Sequence, residues 1–143
     1  MSNPNLSAYV ADHLRACQLK QLSILEEVDR ICKKHGIGYW LDGGSLLGAV
    51  RHGGFIPWDD DIDIGMTKSD LERFEKIAPA ELPETLFLQT RRSDPAHKSS
   101  VVKIRDRNSL YIEDADFFKS DYEKGLFIDI FPFVSCPSMP KSL

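Results

Sequence analysis

The sequence has no excess of basic residues, few cysteines and no long apolar run. It contains 18 lysines and arginines against 22 aspartates and glutamates, which argues against sequence-independent nucleic-acid binding because such binding needs a basic surface. The cysteines, Cys17, Cys32 and Cys136, are odd in number and fit no zinc spacing, so we expect free thiols in a reducing compartment. Residues 1–12 lack a basic start followed by an apolar run, and no stretch of about 18 apolar residues occurs. We therefore expect neither a signal peptide nor a transmembrane helix.

The composition is that of an ordinary globular domain with mixed helical and strand patterns. The 143 residues are 42% hydrophobic and 28% charged, which suffices to bury a core without disulfides. The spacing of apolar and turn-forming residues predicts helices over 7–34, 46–51 and 67–77, and strands over 37–42, 61–66, 85–90, 100–104, 110–113 and 125–133. The strands do not alternate with helices in a βαβ rhythm, so the predicted class is α+β, beginning with a long helix.

The run Asp61-Ile62-Asp63-Ile64 carries the first chemical signal. Side chains in a strand alternate between its faces, so the two isoleucines can enter a core while both carboxylates reach one surface. Two carboxylates that close repel each other unless a positive charge lies between them. A hard divalent cation with oxygen ligands, such as Mg²⁺, is the natural partner.

Asp129 is the second signal, because it lies alone inside the apolar stretch 125–133. Acidic residues are seldom buried unless they are paired or bound to a metal. If this strand lies beside the Asp61–Asp63 strand, three carboxylates meet and can hold one or two Mg²⁺ ions against a phosphate. A structural salt bridge or a turn cap is the alternative role for Asp129.

Gly43-Gly44-Ser45 is the third signal, placed between a predicted strand and a predicted helix. Such a turn presents backbone N–H groups and the positive end of a helix dipole to an anion. Most Gly-Gly pairs are simple turns, and it is the position of this one ahead of Asp61 that favours a phosphate-binding role.

The sequence resembles the LicD family, which belongs to the nucleotidyltransferase-fold superfamily and includes bacterial phosphocholine transferases and relatives of fukutin. The resemblance is carried by four segments: Tyr39-Trp40-Leu41-Asp42-Gly43-Gly44-Ser45-Leu46-Leu47-Gly48-Ala49-Val50-Arg51-His52, Gly54-Phe55-Ile56-Pro57-Trp58-Asp59-Asp60-Asp61-Ile62-Asp63-Ile64, Lys103-Ile104-Arg105-Asp106 and Gly125-Leu126-Phe127-Ile128-Asp129-Ile130-Phe131-Pro132. It extends to the N-terminal helix and implies a small mixed sheet with flanking helices. It also implies that Asp61 and Asp63 ligate Mg²⁺ or Mn²⁺, and that Asp129 ligates metal or acts as the base for an acceptor hydroxyl.

The resemblance further implies a function and a location. LicD-like enzymes are thought to move a phosphoalcohol, such as phosphocholine or ribitol phosphate, from a CDP-linked donor to a glycan hydroxyl. This chemistry belongs to the biosynthesis of glycans such as lipopolysaccharide and teichoic acid. The expected partners are therefore a CDP-linked alcohol and a glycan acceptor, and no nucleic acid. The expected location is the cytoplasm, peripheral to the inner face of the membrane.

Several basic residues are candidates to contact the donor's phosphates. Arg51, His52 and Lys103 are the predicted phosphate-binding residues besides the glycine turn, since a cation near the phosphates would balance their charge. The alternatives are an ordinary solvated or structural role, which we favour for Arg105, and stabilisation of the glycine loop by His52.

Aromatic and acidic neighbours of the central run have less specific roles. Trp40 and Trp58 can stack on a base or on a choline headgroup, although packing beside the active-site loop is the more ordinary role for both. Asp59 and Asp60 are expected outside the set of metal ligands, with Asp60 facing away from Asp61.

The chain departs from the LicD pattern in length. Family members usually continue well beyond the segment that ends near Phe133, whereas this sequence ends at Leu143. We therefore expect residues 1–143 to form a single LicD-like domain that is truncated at its C-terminus relative to the family, with a partner chain as one source of the missing half. Two other functions remain open: nucleotidyl transfer from a nucleoside triphosphate, and a non-catalytic nucleotide-binding partner subunit.

Overall fold

The computed structural model describes residues 4–113 and 121–136, with side chains described from residue 11 onward. The elements in chain order are α1 Pro4–His35, β1 Trp40–Leu41, α2 Gly43–His52, β2 Asp63–Thr67, α3 Lys68–Glu81, β3 Leu86–Gln89, β4 Val102–Asp106 and β5 Phe127–Phe133. The predicted α+β class and the long first helix are confirmed.

The five strands form one mixed sheet in the order β1-β2-β5-β4-β3. Strands β2 and β5 are parallel, whereas the other neighbouring pairs are antiparallel. A parallel pair needs a crossover connection, and here the chain between β2 and β5 includes α3, β3 and β4. The two aspartate-bearing strands are thus neighbours in the sheet although they lie far apart in the sequence.

Helices α1 and α3 pack their apolar sides onto the sheet. In α1 the side chains of Ile24, Val28 and Ile31 are completely buried, and Phe74 of α3 is equally buried. Leu22 of the same helix is 39% exposed, because it lies away from the buried face that carries Ile24. Within the described residues, no helix is both long and apolar enough to cross a membrane.

A side-chain cap fixes the start of α3, and the three cysteines form no disulfide. The Thr67 hydroxyl accepts a hydrogen bond from the Asp70 backbone N–H at 3.2 Å and so caps the N-terminus of α3. Cys17, Cys32 and Cys136 are free thiols, as predicted. Burial raises the pKa of Cys32 to about 12, and a buried thiol of this kind acts as a small hydrophobic side chain.

Three strand predictions need correction. The strand predicted over 37–42 is limited to Trp40–Leu41, and the strand predicted from Asp61 begins at Asp63. The carbonyls of Asp59 and Asp60 accept hydrogen bonds from glutamine side chains of α1, so this stretch is held as a loop before the strand starts. The strand predicted over 110–113 is wrong: the Tyr111 backbone N–H donates to the Lys124 carbonyl at 2.7 Å, but this segment is not part of the sheet. The predicted tail over 135–143 lies largely outside the described residues.

Glu81 joins the C-terminal ends of α1 and α3. Its carboxylate lies 2.8 Å from Lys34 Nζ, 2.8 Å from His35 Nε2 and 3.4 Å from Arg30 NH1. The hydrogen bonds from Lys34 and His35 lower the pKa of Glu81 from its ordinary 4.5 to about 2. Since the pKa is lower in the folded chain, this contribution to stability is present above about pH 4.5 and is lost as the pH falls toward 2.

We predict that Glu81→Gln lowers the thermal unfolding midpoint at pH 7, because the amide keeps the shape but loses the charge. The difference from the wild type should shrink as the pH falls from 4.5 toward 2. Thermal melts followed by circular dichroism measure this, with Glu72→Gln on the exposed face of α3 as the matched control. A difference that stays constant across the acid range would contradict the role of the Glu81 charge.

Candidate active site

Asp63 and Asp129 lie opposite each other on neighbouring parallel strands. The register pairs Asp63 with Asp129 and Ile64 with Ile130, and the Asp129 backbone N–H donates to the Ile62 carbonyl at 2.9 Å. Ile62, Ile64 and Ile130 are buried at 3%, 0% and 0% exposure. Because side chains alternate along a strand, both carboxylates face away from this core. The predicted adjacency of the two aspartate-bearing strands is confirmed.

Asp61 precedes β2 and completes a group of mutually repelling carboxylates. Burial raises the pKa of Asp61 to about 6, and repulsion from Asp59, Asp60 and Asp129 adds to this shift. Burial likewise raises the pKa of Asp63 to about 6, with repulsion from Asp61 and Asp129 among the further causes. The three predicted ligands therefore lie close enough to affect one another's ionisation.

Asp59 and Asp60 are closer to the acidic group than the sequence indicated. Carboxylate oxygens of Asp59, Asp60 and Asp61 lie within 4.8 Å of one another. Asp59 Oδ2 is buried, and no hydrogen-bond donor in the described part of the chain reaches it. Asp60 is exposed, and its Oδ2 accepts a hydrogen bond from the Tyr111 hydroxyl at 3.0 Å. Asp59 thus becomes an additional candidate ligand, while Asp60 has a protein partner.

Gly43-Gly44-Ser45, predicted to lie before the helix, forms the first turn of α2, and this turn makes room for two of these acids. Gly43 has a φ of 50°, in the left-handed region that favours glycine, and a Cβ on it would lie 3.3 Å from Asp63 Oδ2. A Cβ on Gly44 would lie 2.7 Å from Asp59 Oδ2, which is too close. Ser45 Oγ accepts a hydrogen bond from the Asp63 backbone N–H at 2.9 Å. The turn therefore positions acidic residues, and its predicted contact with phosphate stays a prediction.

Lys103 pairs with Asp129 from the neighbouring strand β4. Its Nζ lies 2.9 Å from Asp129 Oδ1 and 3.6 Å from Glu113 Oε2, although the Asp129 contact lacks hydrogen-bond geometry. The side chain is 7% exposed and its Nζ lies 3.4 Å from the centroid of the Phe127 ring. Burial raises the pKa of Asp129, and the charge of Lys103 opposes that shift. Lys103 is thus a buried counter-ion, and its predicted contact with phosphate is untested.

Residues 36–141 match the LicD/FKTN/FKRP nucleotidyltransferase domain family. The chain belongs to this family. The predicted resemblance to LicD proteins is confirmed, and the α+β sheet with its flanking helices is consistent with a nucleotidyltransferase-like fold.

Curated relatives of the LicD family share substantial identity with this chain. The lipopolysaccharide cholinephosphotransferase LicD of Haemophilus influenzae is 39% identical over 129 residues, which cover 90% of this chain and 47% of that protein. The human ribitol 5-phosphate transferase FKRP is 37% identical over 100 residues, 68% of this chain and 17% of that protein. Mannosyltransferase regulator 4 of Saccharomyces cerevisiae is 29% identical over 119 residues, 79% of this chain and 10% of that protein. The chain thus spans less than half the length of these relatives.

Two predicted basic residues lie at the far end of α2 from the acids. Arg51 and His52 are exposed in the last turn of α2, about 12 Å along the axis from Gly43 at 1.5 Å per residue. The His52 ring meets the Trp58 ring edge-on at 6.5 Å. Their predicted phosphate contacts stay predictions. Helix α2 holds both residues at the end opposite Gly43 and Gly44, which lie beside the acids.

The two tryptophans and Arg105 differ in burial. Trp58 is 76% exposed, so the packing role expected for it is wrong. Trp40 is 37% exposed, and its indole covers Gly65 and meets the Phe133 ring at 4.9 Å, which confirms a packing role. Arg105 is 1% exposed and donates to Gln89 Oε1 at 2.7 Å and to the Gly125 carbonyl at 2.8 Å, as expected for a structural residue.

The acids are identified by their shared chemistry and not by a cavity. A groove of about 740 Å³ lies between α3 and β3, with Leu86 and Arg107 in its lining. A smaller apolar cavity of about 110 Å³ lies behind Ser45 and Ile62. Neither lining includes an acid of the cluster.

The donor set suits a hard divalent cation. Its candidate ligands, Asp59, Asp61, Asp63 and Asp129, are all carboxylates, which Mg²⁺ and Mn²⁺ prefer over nitrogen or sulfur. Asp59 Oδ2 is buried and has no hydrogen-bond partner among the described residues, so it is the kind of oxygen that a cation would satisfy. The residues present therefore fit the metal that the family resemblance implies.

We predict that metal-free Asp63→Asn gains stability relative to the wild type as the pH rises from about 4 to about 7. The wild-type pKa of Asp63 is raised from 3.8 to about 6, so folding favours its protonated form and loses stability as the pH passes through 6. Thermal melts in EDTA across this range measure the difference between the two midpoints. An unchanging difference would show that the Asp63 carboxylate is not under strain from its neighbours.

We also predict that Gly44→Ala weakens binding of Mn²⁺ about tenfold, which corresponds to about 1.4 kcal/mol, while the chain stays folded. The new Cβ would push the Asp59 carboxylate away, and a carboxylate end can move without unfolding the helix. Electron paramagnetic resonance titration of free Mn²⁺ measures the affinity. Gly54→Ala is the matched control, since a Cβ there meets nothing within 4 Å. Equal affinity in both variants would remove Asp59 from the ligand set.

Proposed function

We propose that this chain carries the metal-binding part of a phosphotransferase site that moves a phosphoalcohol from a CDP-linked donor to a glycan hydroxyl. The observation that carries the proposal is the pairing of Asp63 with Asp129 in register, with Asp61 close enough to raise the pKa of Asp63. Asp61, Asp63 and Asp129 are the proposed Mg²⁺ or Mn²⁺ ligands, and Asp59 is a further candidate.

The proposed reaction is an in-line displacement at phosphorus. The acceptor hydroxyl oxygen forms a bond to the phosphorus that carries the alcohol, the bond from that phosphorus to the bridging oxygen breaks, and CMP leaves with the bond's electron pair. When bound, the cation would neutralise charge on the phosphate oxygens. The hydroxyl proton needs an acceptor, and accepting it is the alternative role of Asp129 to binding the metal. Burial raises the pKa of Asp129, which suits a proton acceptor.

Lys103 has a supporting role in this proposal. An unpaired buried carboxylate tends to take up a proton, because burial disfavours its charged form. With Lys103 Nζ at 2.9 Å from its Oδ1, Asp129 can remain ionised beside Asp63 and accept a cation or a proton. We assign Lys103 to this counter-ion role ahead of direct phosphate binding.

The relatives support the class of reaction. The Haemophilus influenzae relative is named a cholinephosphotransferase and the human relative a ribitol 5-phosphate transferase, so both names describe the transfer of a phosphorylated alcohol. The CDP-linked donor, the glycan acceptor and work at the inner face of the membrane are the parts that we extend to this chain. The chain spans 47% of the bacterial relative, so the activity of a whole LicD-type protein is part of the proposal for this chain.

A non-catalytic role is the second candidate. The yeast relative is named as a regulator of a mannosyltransferase, and a family domain can keep its fold without chemistry. This alternative predicts a chain that binds nucleotide but never transfers the phosphoalcohol, even with a candidate C-terminal half supplied. The set of repelling acids favours the catalytic role, since repulsion without a cation only destabilises the fold.

Calorimetric titration with CDP-choline, CDP-ribitol and ATP, each with and without Mg²⁺, tests the proposed function. We expect saturable, Mg²⁺-dependent binding of a CDP-alcohol and its loss in Asp63→Asn, because the amide is isosteric but uncharged. Asp12→Asn, on the exposed surface of α1, is the control with the same change in charge and should bind like the wild type.

The other outcomes discriminate between the candidates. Binding of ATP with Mg²⁺ and of no CDP-alcohol would indicate nucleotidyl transfer from a nucleoside triphosphate. CDP-alcohol binding in Asp63→Asn with unchanged Mg²⁺ dependence would overturn the metal assignment.

A further inference from the structure

Two buried glutamines of α1 contact the backbone of the acidic loop. Gln18 is 2% exposed and Gln21 is 1% exposed. The Gln18 side-chain amide donates to the Asp59 carbonyl at 2.8 Å, and the Gln21 amide donates to the Asp60 carbonyl at 2.8 Å. Both lie on the face of α1 that buries Ile24 and the following apolar residues, where a hydrophobic side chain would be the ordinary choice.

Gln21 also reaches the second acidic segment. Its Nε2 donates to the Phe127 carbonyl at 3.2 Å, and Phe127 is two residues before Asp129 on β5. Both hydrogens of this one amide are therefore used on the two segments that carry the acids. Burying an amide costs free energy unless it is hydrogen-bonded, and Gln21 Oε1 finds no partner within the described residues. Gln21 thus carries the free-energy cost of an unbonded carbonyl oxygen, while its amide links the two acid-bearing segments.

The tie acts against the repulsion within the site. Asp61 follows Asp60 directly, and the like charges of the carboxylates gathered at this site repel each other. A loop without internal strand pairing can relieve such repulsion by moving outward. The hydrogen bonds from Gln18 and Gln21 hold its backbone in place from the buried side. The ion pair of Lys20 with Asp106 at 3.0 Å fixes the same stretch of α1 to β4.

We propose that Gln21, assisted by Gln18, is a positioning residue that sets the spacing of the carboxylates for cation binding. Helix α1 ends at residue 35, before the family match begins at residue 36, so the site depends on a segment outside the matched domain. This inference rests on the metal site proposed above. It predicts that Gln21, whose side chain does not contact a proposed ligand carboxylate, nevertheless controls the affinity for the metal.

The test compares Gln21→Met with Ile31→Ala in the full chain. Methionine has a similar size but no donors, whereas Ile31 is a fully buried residue of the same helix more than two turns from Gln21. Mn²⁺ affinity is measured by electron paramagnetic resonance, and amide hydrogen exchange is measured in EDTA. We expect Gln21→Met to lose about 10- to 100-fold in Mn²⁺ affinity, and Ile31→Ala to lose stability with affinity unchanged. Gln18→Met provides a milder second variant should Gln21→Met fail to fold.

Hydrogen exchange separates the failure of this inference from the failure of the metal proposal. The Asp59 N–H donates to the Ile56 carbonyl at 3.0 Å and the Asp129 N–H donates to the Ile62 carbonyl at 2.9 Å, so both amides report on the site without metal. Gln21→Met should speed their exchange relative to amides of β3 and β4, whereas Ile31→Ala should speed all of them alike. Selective acceleration without Mn²⁺ binding by the wild type would support the positioning role and remove the metal. Two results would overturn the inference. One is that Gln21→Met speeds the exchange of all these amides alike, and the other is that Gln21→Met keeps the Mn²⁺ affinity of a wild type that binds Mn²⁺.

Discussion

Repulsion among half-buried carboxylates is the constraint that the rest of this structure accommodates. Burial and like charge act in the same direction on Asp61 and Asp63, and both raise the pKa to about 6. A fold that brings such groups together loses stability at neutral pH unless something opposes the repulsion. A common use of such an arrangement in proteins is to hold a divalent cation against a phosphate, and that is the use we propose for this chain.

The surrounding elements oppose the repulsion in different ways. On the side of β2 and β5 that faces away from the acids, Ile64 and Ile130 are completely buried in the core. This burial holds the two strands in register. Lys103 supplies a positive charge on one side of Asp129. Gly44 leaves space for the Asp59 carboxylate, and the Gln21 side chain donates a hydrogen bond to the Asp60 carbonyl from the buried side of the acidic loop. The site is therefore a property of the sheet and both neighbouring helices, and not of the aspartate run alone.

The sequence pattern was sufficient for features that depend on local periodicity. It predicted α1 and the outward direction of Asp63, because each follows from spacing along one segment. The position of Asp129 beside Asp63 was inferred from chemistry, as the lone acid of an apolar strand, and the register confirmed it. It could not show that Lys103 pairs with Asp129, or that Gln21 contacts the acidic loop, since both contacts join segments that only the folded sheet brings together. The absence of a strand at 110–113 was also beyond the pattern, because strand propensity depends on whether a neighbouring strand is available to pair.

A crystal structure of the chain with Mn²⁺, analysed by anomalous diffraction, tests the central claim most directly. The account predicts an anomalous peak between the carboxylates of Asp61, Asp63 and Asp129, with oxygen ligands at about 2.0–2.3 Å, as is usual for hard divalent cations. Contact with Asp59 would extend the ligand set. No peak at saturating Mn²⁺, or a peak held by Asp59 and Asp60 away from β5, would contradict the proposal that the paired strands form the metal centre.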